Sequence, residues 1–264
     1  MAEPFYSRPS LHVEIYATRS ASMPVVEGDI DFYLELARNA PGPALELGCG
    51  TARVALPLAL EGIHVTGLDL SQPMLDVAKA EAAAAGAGTT LALVHGDMSN
   101  FSLGRQFGLV YIAFRSFMLL TTPDQQRGCL NCVREHLVPG GILAIDIFDP
   151  QLDRMAEGPM PEAWRDLGQV LHPETWNPVR IEATDRTADI VAQVFEETWR
   201  FTELDGDGGA IRVEEEVLRM RWTYRNEMRY LLELCGFEVE AEYSDYFGSP
   251  PAYGKEQVWV ARKK

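Results

Sequence analysis

The chain has 264 residues, of which 39 are acidic and 23 basic, and its formal net charge is −16. A chain of this charge repels phosphate backbones, so the composition argues against a nucleic-acid partner. No run of 18 apolar residues and no amino-terminal signal pattern is present, which predicts a cytoplasmic protein without a membrane partner.

Four cysteines fit a reducing compartment and do not suggest a disulfide framework. Cys129 and Cys132 form one Cys-x-x-Cys pair in a helical pattern, and no second pair completes a zinc site. The sequence therefore predicts no metal.

The first 43 residues are predicted to form amino-terminal helices that cap the site. Asp29 to Arg38 carries apolar residues at helical spacing and leads into the first strand. The preceding segment contains Tyr16 and Arg19, a phenol and a guanidinium three residues apart.

A strand, a glycine turn and a helix follow one another after the breakers at positions 41 to 43. Ala44 to Leu47 is a short apolar run, and Gly48 and Gly50 stand directly after it. Glycines here let the backbone turn tightly and approach a ligand where a Cβ atom would collide. Thr51 to Leu60 has helical periodicity, so the free N–H groups of its first turn are predicted to face the turn.

His64 to Leu68 predicts a second strand, and Asp69 ends it. An acid about 20 residues after the glycines is where a doubly wound sheet binds a ribose diol. The ligand is therefore predicted to be a nucleoside of the adenosine type. A dinucleotide fingerprint would need a third glycine where this chain has Arg53, which argues against NAD.

The segment Glu46 to Ala52 resembles motif I of class I S-adenosylmethionine (SAM)-dependent methyltransferases, acid-x-G-x-G-x-G. Ala52 departs from the pattern, since the family has glycine there. The next helix, predicted over Ser71 to Ala85, places Met74 in its first turn, and Leu91 to Val94 predicts the third strand. Asp97 and Met98 follow that strand as the family's adenine-binding residues do.

The resemblance implies SAM as cofactor, with S-adenosylhomocysteine as product. It implies that Tyr16 closes over the sulfonium, that Arg19 binds the carboxylate of SAM, and that Asp69 binds the ribose. Residues expected to bind the cofactor are Tyr16, Arg19, Glu46, Gly48, Cys49, Gly50, Asp69, Leu70, Met74, Gly96, Asp97, Met98, Phe114 and Arg115.

Two further strands are predicted over Leu109 to Phe114 and Ile142 to Phe148, joined by a helix over Pro123 to Leu137. Because ligands bind outside the carboxyl ends of such strands, residues 114 to 117 are expected to border the methyl group or its acceptor. Asp149 ends the later strand, where it is either a catalytic group or a turn residue before Pro150.

The alternation of strand and helix breaks between residues 151 and 223. Val191 to Thr202 and Ile211 to Thr223 predict a long β-hairpin. Its apolar face must be buried, so the hairpin is predicted to lie over the site as a lid, to pair with a second copy of the chain, or to do both. Trp176 and His172, in the segment before the hairpin, are candidates for the acceptor pocket.

A helix over Arg225 to Leu234 and strands over Phe237 to Tyr243 and Gln257 to Ala261 complete the chain. The predicted fold is α/β, a Rossmann-like doubly wound seven-stranded sheet with a β-hairpin insertion after the fifth strand. Its predicted divisions are amino-terminal helices (1–43), a SAM-binding core (44–150), a β-rich insertion (151–223) and the end of the core (224–264). The insertion resembles that of amino-sugar and other antibiotic-pathway N-methyltransferases.

Methyl transfer is an in-line displacement that needs alignment and a dry, aromatic site more than strong acids or bases. Tyr16, Phe114 and Phe117 are the aromatic candidates, with Asp149 as a catalytic acid or base. Ser116, Phe117 and Trp176 are the candidates for acceptor binding. No base is nominated for a hydroxyl acceptor, which favours an amine nitrogen on a small molecule. The alternatives are an O-methyltransferase, a SAM-binding sensor without catalysis, and an NAD-linked oxidoreductase, the last opposed by Arg53 and Asp97.

Overall fold

The computed structural model describes residues 3–20, 27–151, 164–184 and 186–264. Residues 152–163, the start of the predicted insertion, lie outside this range, as do residues 21–26 of the predicted amino-terminal segment. Within the described ranges, no helix has the length and apolar character needed to cross a membrane.

Strands and helices follow one another between residues 44 and 148, and the described residues 164–184 and 186–221 are mainly β-structure. The helices are α1 (Leu11–Ser20), α2 (Asp29–Asn39), α3 (Ala55–Leu60), α4 (Gln72–Ala84), α5 (Pro123–His136) and α6 (Arg225–Leu234), with a 3-10 turn over Ser116–Leu119. The strands are β1 (Glu3–Pro4), β2 (Ala44–Leu47), β3 (Val65–Asp69), β4 (Leu91–His95), β5 (Phe107–Ile112), β6 (Leu137–Phe148), β7 (Arg165–Leu171), β8 (Pro178–Ala183), β9 (Thr187–Asp189), β10 (Val194–Leu204), β11 (Ala210–Arg221), β12 (Phe237–Tyr243) and β13 (Glu256–Lys263).

The main sheet has seven strands in the order β12-β13-β6-β5-β2-β3-β4. The strands from β6 to β4 in this order are parallel, and β13 is antiparallel to both β6 and β12. The chain order reverses between β2 and β5, so a crevice opens between the carboxyl ends of these two strands. The predicted seven-stranded Rossmann-like sheet is confirmed.

Helices cover both faces of this sheet. On one face α2, α3 and α4 contribute buried residues such as Tyr33, Leu58 and Ala78. On the other face α5 and α6 contribute residues such as Val133 and Met228. Both faces of the parallel strands are therefore buried, which explains why β5 is apolar along its whole length.

A second sheet has the order β1-β11-β10-β8-β7, with β9 pairing to one part of β10. Its centre is the predicted hairpin, in which Val194 pairs with Arg221 at the base and Glu203 with Arg212 towards the tip. Phe195, Leu218 and Trp222 belong to the same buried cluster as the core of the main sheet. The hairpin is therefore packed into the core.

Two element boundaries differ from the sequence prediction for the same physical reason. The helix expected from Thr51 begins only at Ala55, because Ala52 has a left-handed backbone with φ 62°. The strand expected to reach Phe114 ends at Ile112, because Phe114 and Arg115 have φ values of 53° and 65°. Neither a helix nor a strand can continue through such residues.

Candidate active site

A cavity of about 180 Å³, which we name the crevice cavity, lies at the carboxyl ends of β2 and β5. Its walls combine residues from the amino-terminal segment, the glycine turn, the end of β3 and the turn after β5. The predicted site residues that line it are Tyr16, Arg19, Gly48, Gly50, Asp69, Met74, Phe114, Arg115 and Ser116.

The glycine turn is left-handed at both glycines, with φ values of 69° at Gly48 and 53° at Gly50. A Cβ atom on Gly48 would lie 2.7 Å from the Cβ atom of Ser116, and one on Gly50 would lie 3.1 Å from Cε of Met74. The turn therefore requires glycine for its conformation, and at Gly48 also because the chain after β5 approaches closely.

Asp69 is held at the floor of the crevice cavity by two backbone amides. Its Oδ2 accepts a hydrogen bond from the Gly50 N–H at 2.7 Å, and its Oδ1 accepts one from the Ser71 N–H at 2.7 Å. Burial raises the pKa of this carboxyl, and the two amide hydrogen bonds oppose that effect. The carboxylate is thus fixed beside the glycine turn, as a ribose-binding acid requires.

Glu46 and Cys49, both predicted to bind the cofactor, lie beneath the cavity and do not form its walls. Glu46 is 3 % exposed and accepts a hydrogen bond from the Tyr111 hydroxyl at 3.2 Å. Burial raises the pKa of Glu46 to about 8. The Cys49 side chain is so close to Gly67 that a Cβ atom there would meet its Sγ at 2.8 Å. Both residues support the turn from below.

The predicted adenine-binding residues lie outside the walls of the crevice cavity. The Gly96 N–H donates to the Asp69 carbonyl at 2.9 Å, and Asp97 accepts from the Ser99 N–H at 2.7 Å. Leu70 is 67 % exposed, and Met98 packs against the core. Their roles toward a cofactor remain predictions.

Tyr16 and Arg19, one turn apart on α1, close the cavity on the side of the second sheet. The Arg19 guanidinium lies 4.5 Å from the ring centroid of Trp199, and burial lowers its pKa. Among the described residues, no carboxylate forms a salt bridge with Arg19. Burial raises the pKa of the Tyr16 phenol to about 12, so this group is protonated at neutral pH.

A second cavity of about 210 Å³, the intersheet cavity, adjoins the first. The two share Arg115, Phe148, Arg186 and Phe195 as walls. The guanidinium carbons of Arg115 and Arg186 lie 5.4 and 5.7 Å from the Phe148 ring centroid. The two cavities therefore meet at an aromatic ring flanked by two cations.

Asp149 lines the intersheet cavity, but its carboxylate is already engaged. It accepts hydrogen bonds from the Gly254 N–H at 2.9 Å, from Nε2 of Gln257 at 2.9 Å and from Nη2 of Arg225 at 3.2 Å. A carboxylate bonded in this way fixes the end of β6 to the final strand. The arrangement argues against the predicted catalytic role.

Three residues that were predicted on the acceptor side of the site also line neither cavity. Phe117 is fully buried in the core, because the 3-10 turn directs it inward while Ser116 lies on the cavity wall. Trp176 is 73 % exposed in the turn between β7 and β8, where its φ is 59°. His172 is buried in the same turn, and its Nε2 lies 2.9 Å from a carboxylate oxygen of Glu14. The structure does not bring these three side chains to the wall of either cavity, and their contacts with a substrate remain predictions.

The sequence reasoning missed the wall that the second sheet supplies. Five residues of the hairpin line the crevice cavity, and on each strand they stand at every second position. They are Phe195, Glu197 and Trp199 on β10, and Leu218 and Met220 on β11. Residues two apart on a strand share one face, so the pattern could have grouped them. The pattern does not state what that face covers. The hairpin lies over the crevice cavity, as one of the sequence-based alternatives states. Its pairing with a second copy of the chain remains a prediction.

Comparison with known proteins agrees with this geometry. Residues 44–141 match the family model described as methyltransferase domain. The chain is 25 % identical over 221 residues to the cypemycin N-terminal methyltransferase of a Streptomyces species, covering 83 % of this chain and 82 % of that protein. It is 33 % identical over 111 residues to the dTDP-3-amino-3,6-dideoxy-alpha-D-glucopyranose N,N-dimethyltransferase of Streptomyces fradiae, covering 41 % of each.

The fold is similar to that of the CcbJ methyltransferase from Streptomyces caelestis. The TM-score is 0.77 at 25 % identity, covering 100 % of this chain and 99 % of that one. The similarity therefore includes the second sheet as well as the core.

Proposed function

Because this chain is a SAM-dependent methyltransferase, we propose that it transfers the methyl group to an amine nitrogen of a small molecule. The observation that carries the proposal is the meeting of the two cavities at Phe148. The crevice cavity offers a nucleoside site at one end, and the intersheet cavity offers space for an acceptor beyond it.

The residues of the crevice cavity suit SAM. The glycine turn provides a surface that a Cβ atom at Gly48 would obstruct, and the Asp69 carboxylate lies next to it. Arg19 is a half-buried cation without a salt-bridge partner among the described residues, so it can bind the carboxylate of a ligand. Tyr16 and Phe114 are the aromatic walls of the same cavity.

When bound, SAM supplies a methyl group on a positively charged sulfur. The chain's own task is to align the acceptor and to exclude water, and positioning alone can lower such a barrier by about 7–11 kcal/mol. Tyr16 and Phe114 provide aromatic surface in the crevice cavity, and Phe148 provides it where the two cavities meet. Such surface tolerates a cation while keeping the site dry.

The acid–base groups near the site support nitrogen as the acceptor atom. A hydroxyl acceptor needs a general base in the transition state, whereas a neutral amine does not. Burial raises the pKa of Tyr16 to about 12 and raises that of Tyr6 as well, so neither phenol is a base at neutral pH. Asp149 and Glu256 are engaged by Arg225 and Arg115, respectively.

The relatives indicate which acceptors to test first. By their names, one relative acts on the N-terminus of cypemycin and another on the nitrogen of a dTDP-linked amino sugar. The proposal is tested by incubating the enzyme with SAM and with two matched pairs of candidate acceptors. Each pair contains an amine and its hydroxyl analogue, one pair built on a sugar and one on a short peptide.

Mass spectrometry should detect added methyl groups on the amines and not on the hydroxyl analogues. The Asp69→Ala variant serves as the control for cofactor dependence. Methylation of a hydroxyl analogue in preference to its amine would contradict the proposal.

A further inference from the structure

The turn after β5 holds two consecutive non-glycine residues in the left-handed region, Phe114 at φ 53° and Arg115 at φ 65°. Both line the crevice cavity, and Arg115 also lines the intersheet cavity. A left-handed backbone costs about 1–2 kcal/mol for each such residue. The surroundings must therefore hold this pair in place.

Asp146, near the carboxyl end of β6, accepts hydrogen bonds from the backbone N–H groups of both residues. Its carboxylate is 1 % exposed; Oδ2 accepts from the Phe114 N–H at 2.8 Å and Oδ1 from the Arg115 N–H at 2.9 Å. The hydroxyl of Tyr33, a fully buried residue of α2, donates to Oδ2 at 2.6 Å. One buried carboxylate thus links α2 to the turn that separates the two cavities.

Helix α2 is also linked to the ring of Phe114, through Asp29 and Arg53. Asp29 precedes Tyr33 by four residues, which places both on one face of α2. Asp29 accepts a hydrogen bond from Nη1 of Arg53 at 3.1 Å, and the Arg53 guanidinium lies 5.3 Å from the Phe114 ring centroid. The backbone and the ring of Phe114 are therefore both held from α2.

We propose that Asp146 and Tyr33 are positioning residues, which hold Phe114 and Arg115 in the geometry that SAM binding and methyl transfer require. This inference rests on the use of SAM in the crevice cavity, which the proposed function also assumes, and not on the identity of the acceptor. In the sequence, Asp146 is one acid within an apolar strand and carries no motif that announces this role.

The charge state of Asp146 supports a pH-dependent test. Burial raises its pKa to about 6. The Tyr33 hydroxyl and the two amides lower that pKa, and Glu256 on β13 raises it. Tyr246, from the segment between β12 and β13, also faces this carboxylate. Below about pH 6 the carboxyl is neutral and accepts weaker hydrogen bonds, so its hold on the turn weakens.

The experiment measures the dissociation constant of S-adenosylhomocysteine by calorimetry, which needs no acceptor. Asp146→Asn should weaken binding at least tenfold, about 1.4 kcal/mol, because its amide group presents a donor to a backbone N–H. Tyr33→Phe should weaken it by a smaller factor of about 3. Tyr246→Phe is the matched control, since its ring lies in the same cluster, 6.3 Å from that of Tyr33, and it should bind normally.

The pH dependence separates positioning from general support of the fold. In the unmodified protein the affinity should fall below about pH 6, and in Tyr33→Phe the midpoint should move upward because the phenol no longer lowers the pKa of Asp146. A purely structural role would lower the melting temperature and leave that midpoint unchanged.

Native affinity in Asp146→Asn, or an unmoved midpoint in Tyr33→Phe, would overturn the inference. If the Asp146→Asn variant does not fold, the midpoint of the pH dependence of affinity in Tyr33→Phe decides between the positioning role and a purely structural role. Absence of binding in the unmodified protein would instead refute the use of SAM, and methylation of alcohols alone would refute only the amine assignment.

Discussion

The glycine turn and the second sheet build opposite walls of one cavity by different physical means. The turn gathers Gly48, Gly50 and Asp69 from a stretch of about 20 consecutive residues, and its geometry depends on local backbone conformation. The second sheet contributes Phe195 and Trp199 from far along the chain, and burial of apolar surface holds it in place. The wall that contains the glycine turn is therefore formed by local backbone structure, and the facing wall is formed by tertiary packing.

The glycine turn and the second sheet are also expected to contribute differently to ligand binding and to the free energy of unfolding. The turn contains left-handed residues and a partly buried carboxylate, which we expect to favour ligand binding at a cost to stability. The hairpin adds Phe195, Leu218 and Trp222 to the main core. Changes in the first region should mainly alter binding, and changes in the second should mainly alter stability.

The largest expected effect is on stability, at Trp222. This side chain is 1 % exposed and joins the second sheet to the core, so Trp222→Ala should lower the free energy of unfolding by about 3–5 kcal/mol. Trp176→Ala is the matched control, because Trp176 is 73 % exposed, and it should unfold at nearly the same urea concentration as the unmodified protein. Equal losses in the two variants would contradict the view that the hairpin is part of the core.

The next effect is on binding, at Asp69. Asp69→Ala should weaken S-adenosylhomocysteine binding at least tenfold, about 1.4 kcal/mol, because the acid next to the glycine turn is lost. Asp76→Ala, which removes an exposed acid of α4, should bind normally. Calorimetry measures both constants, and circular dichroism checks that the fold is intact. Unchanged affinity in Asp69→Ala would remove this residue from the cofactor site.

The smallest effect is a pH dependence of stability from Glu46, beneath the turn. Burial raises its pKa from 4.5 to about 8, so the folded state retains a proton that the unfolded state has lost between these values. The stabilisation is complete below pH 4.5 and is lost as the pH rises through 8. Between pH 7 and pH 8 the free energy of unfolding should fall by about 1 kcal/mol from this ionisation.

Glu46→Gln cannot ionise at this position, so it should show a shallower dependence. Melting temperatures recorded over this pH range for both proteins give the comparison. Parallel curves would show that Glu46 ionises freely in the folded protein and that its burial has no such consequence.

The two regions also differ in how far the sequence predicted them. The strand, turn and second strand over Ala44 to Asp69 were predicted almost as they occur, because glycine spacing and apolar runs act over short distances. The helix between them was predicted too long, since the sequence does not show that Ala52 adopts a left-handed backbone. The two strands of the hairpin were predicted, but the strands that pair with them and the core residues that pack against them were not.

The sequence by itself determined the strands and helices between Ala44 and Phe148 and the residues of the glycine turn, because these follow from periodicity and backbone chemistry within short segments. The seven-stranded sheet was implied by the resemblance to class I methyltransferases, and β7 and β8 were not predicted. Only the tertiary structure decided that Asp146 binds the turn after β5, that Phe117 is core, and that β10 forms the facing wall. Each of these depends on which side of a strand or turn meets a distant element. Side-chain alternation defines two faces, and only packing selects the buried one.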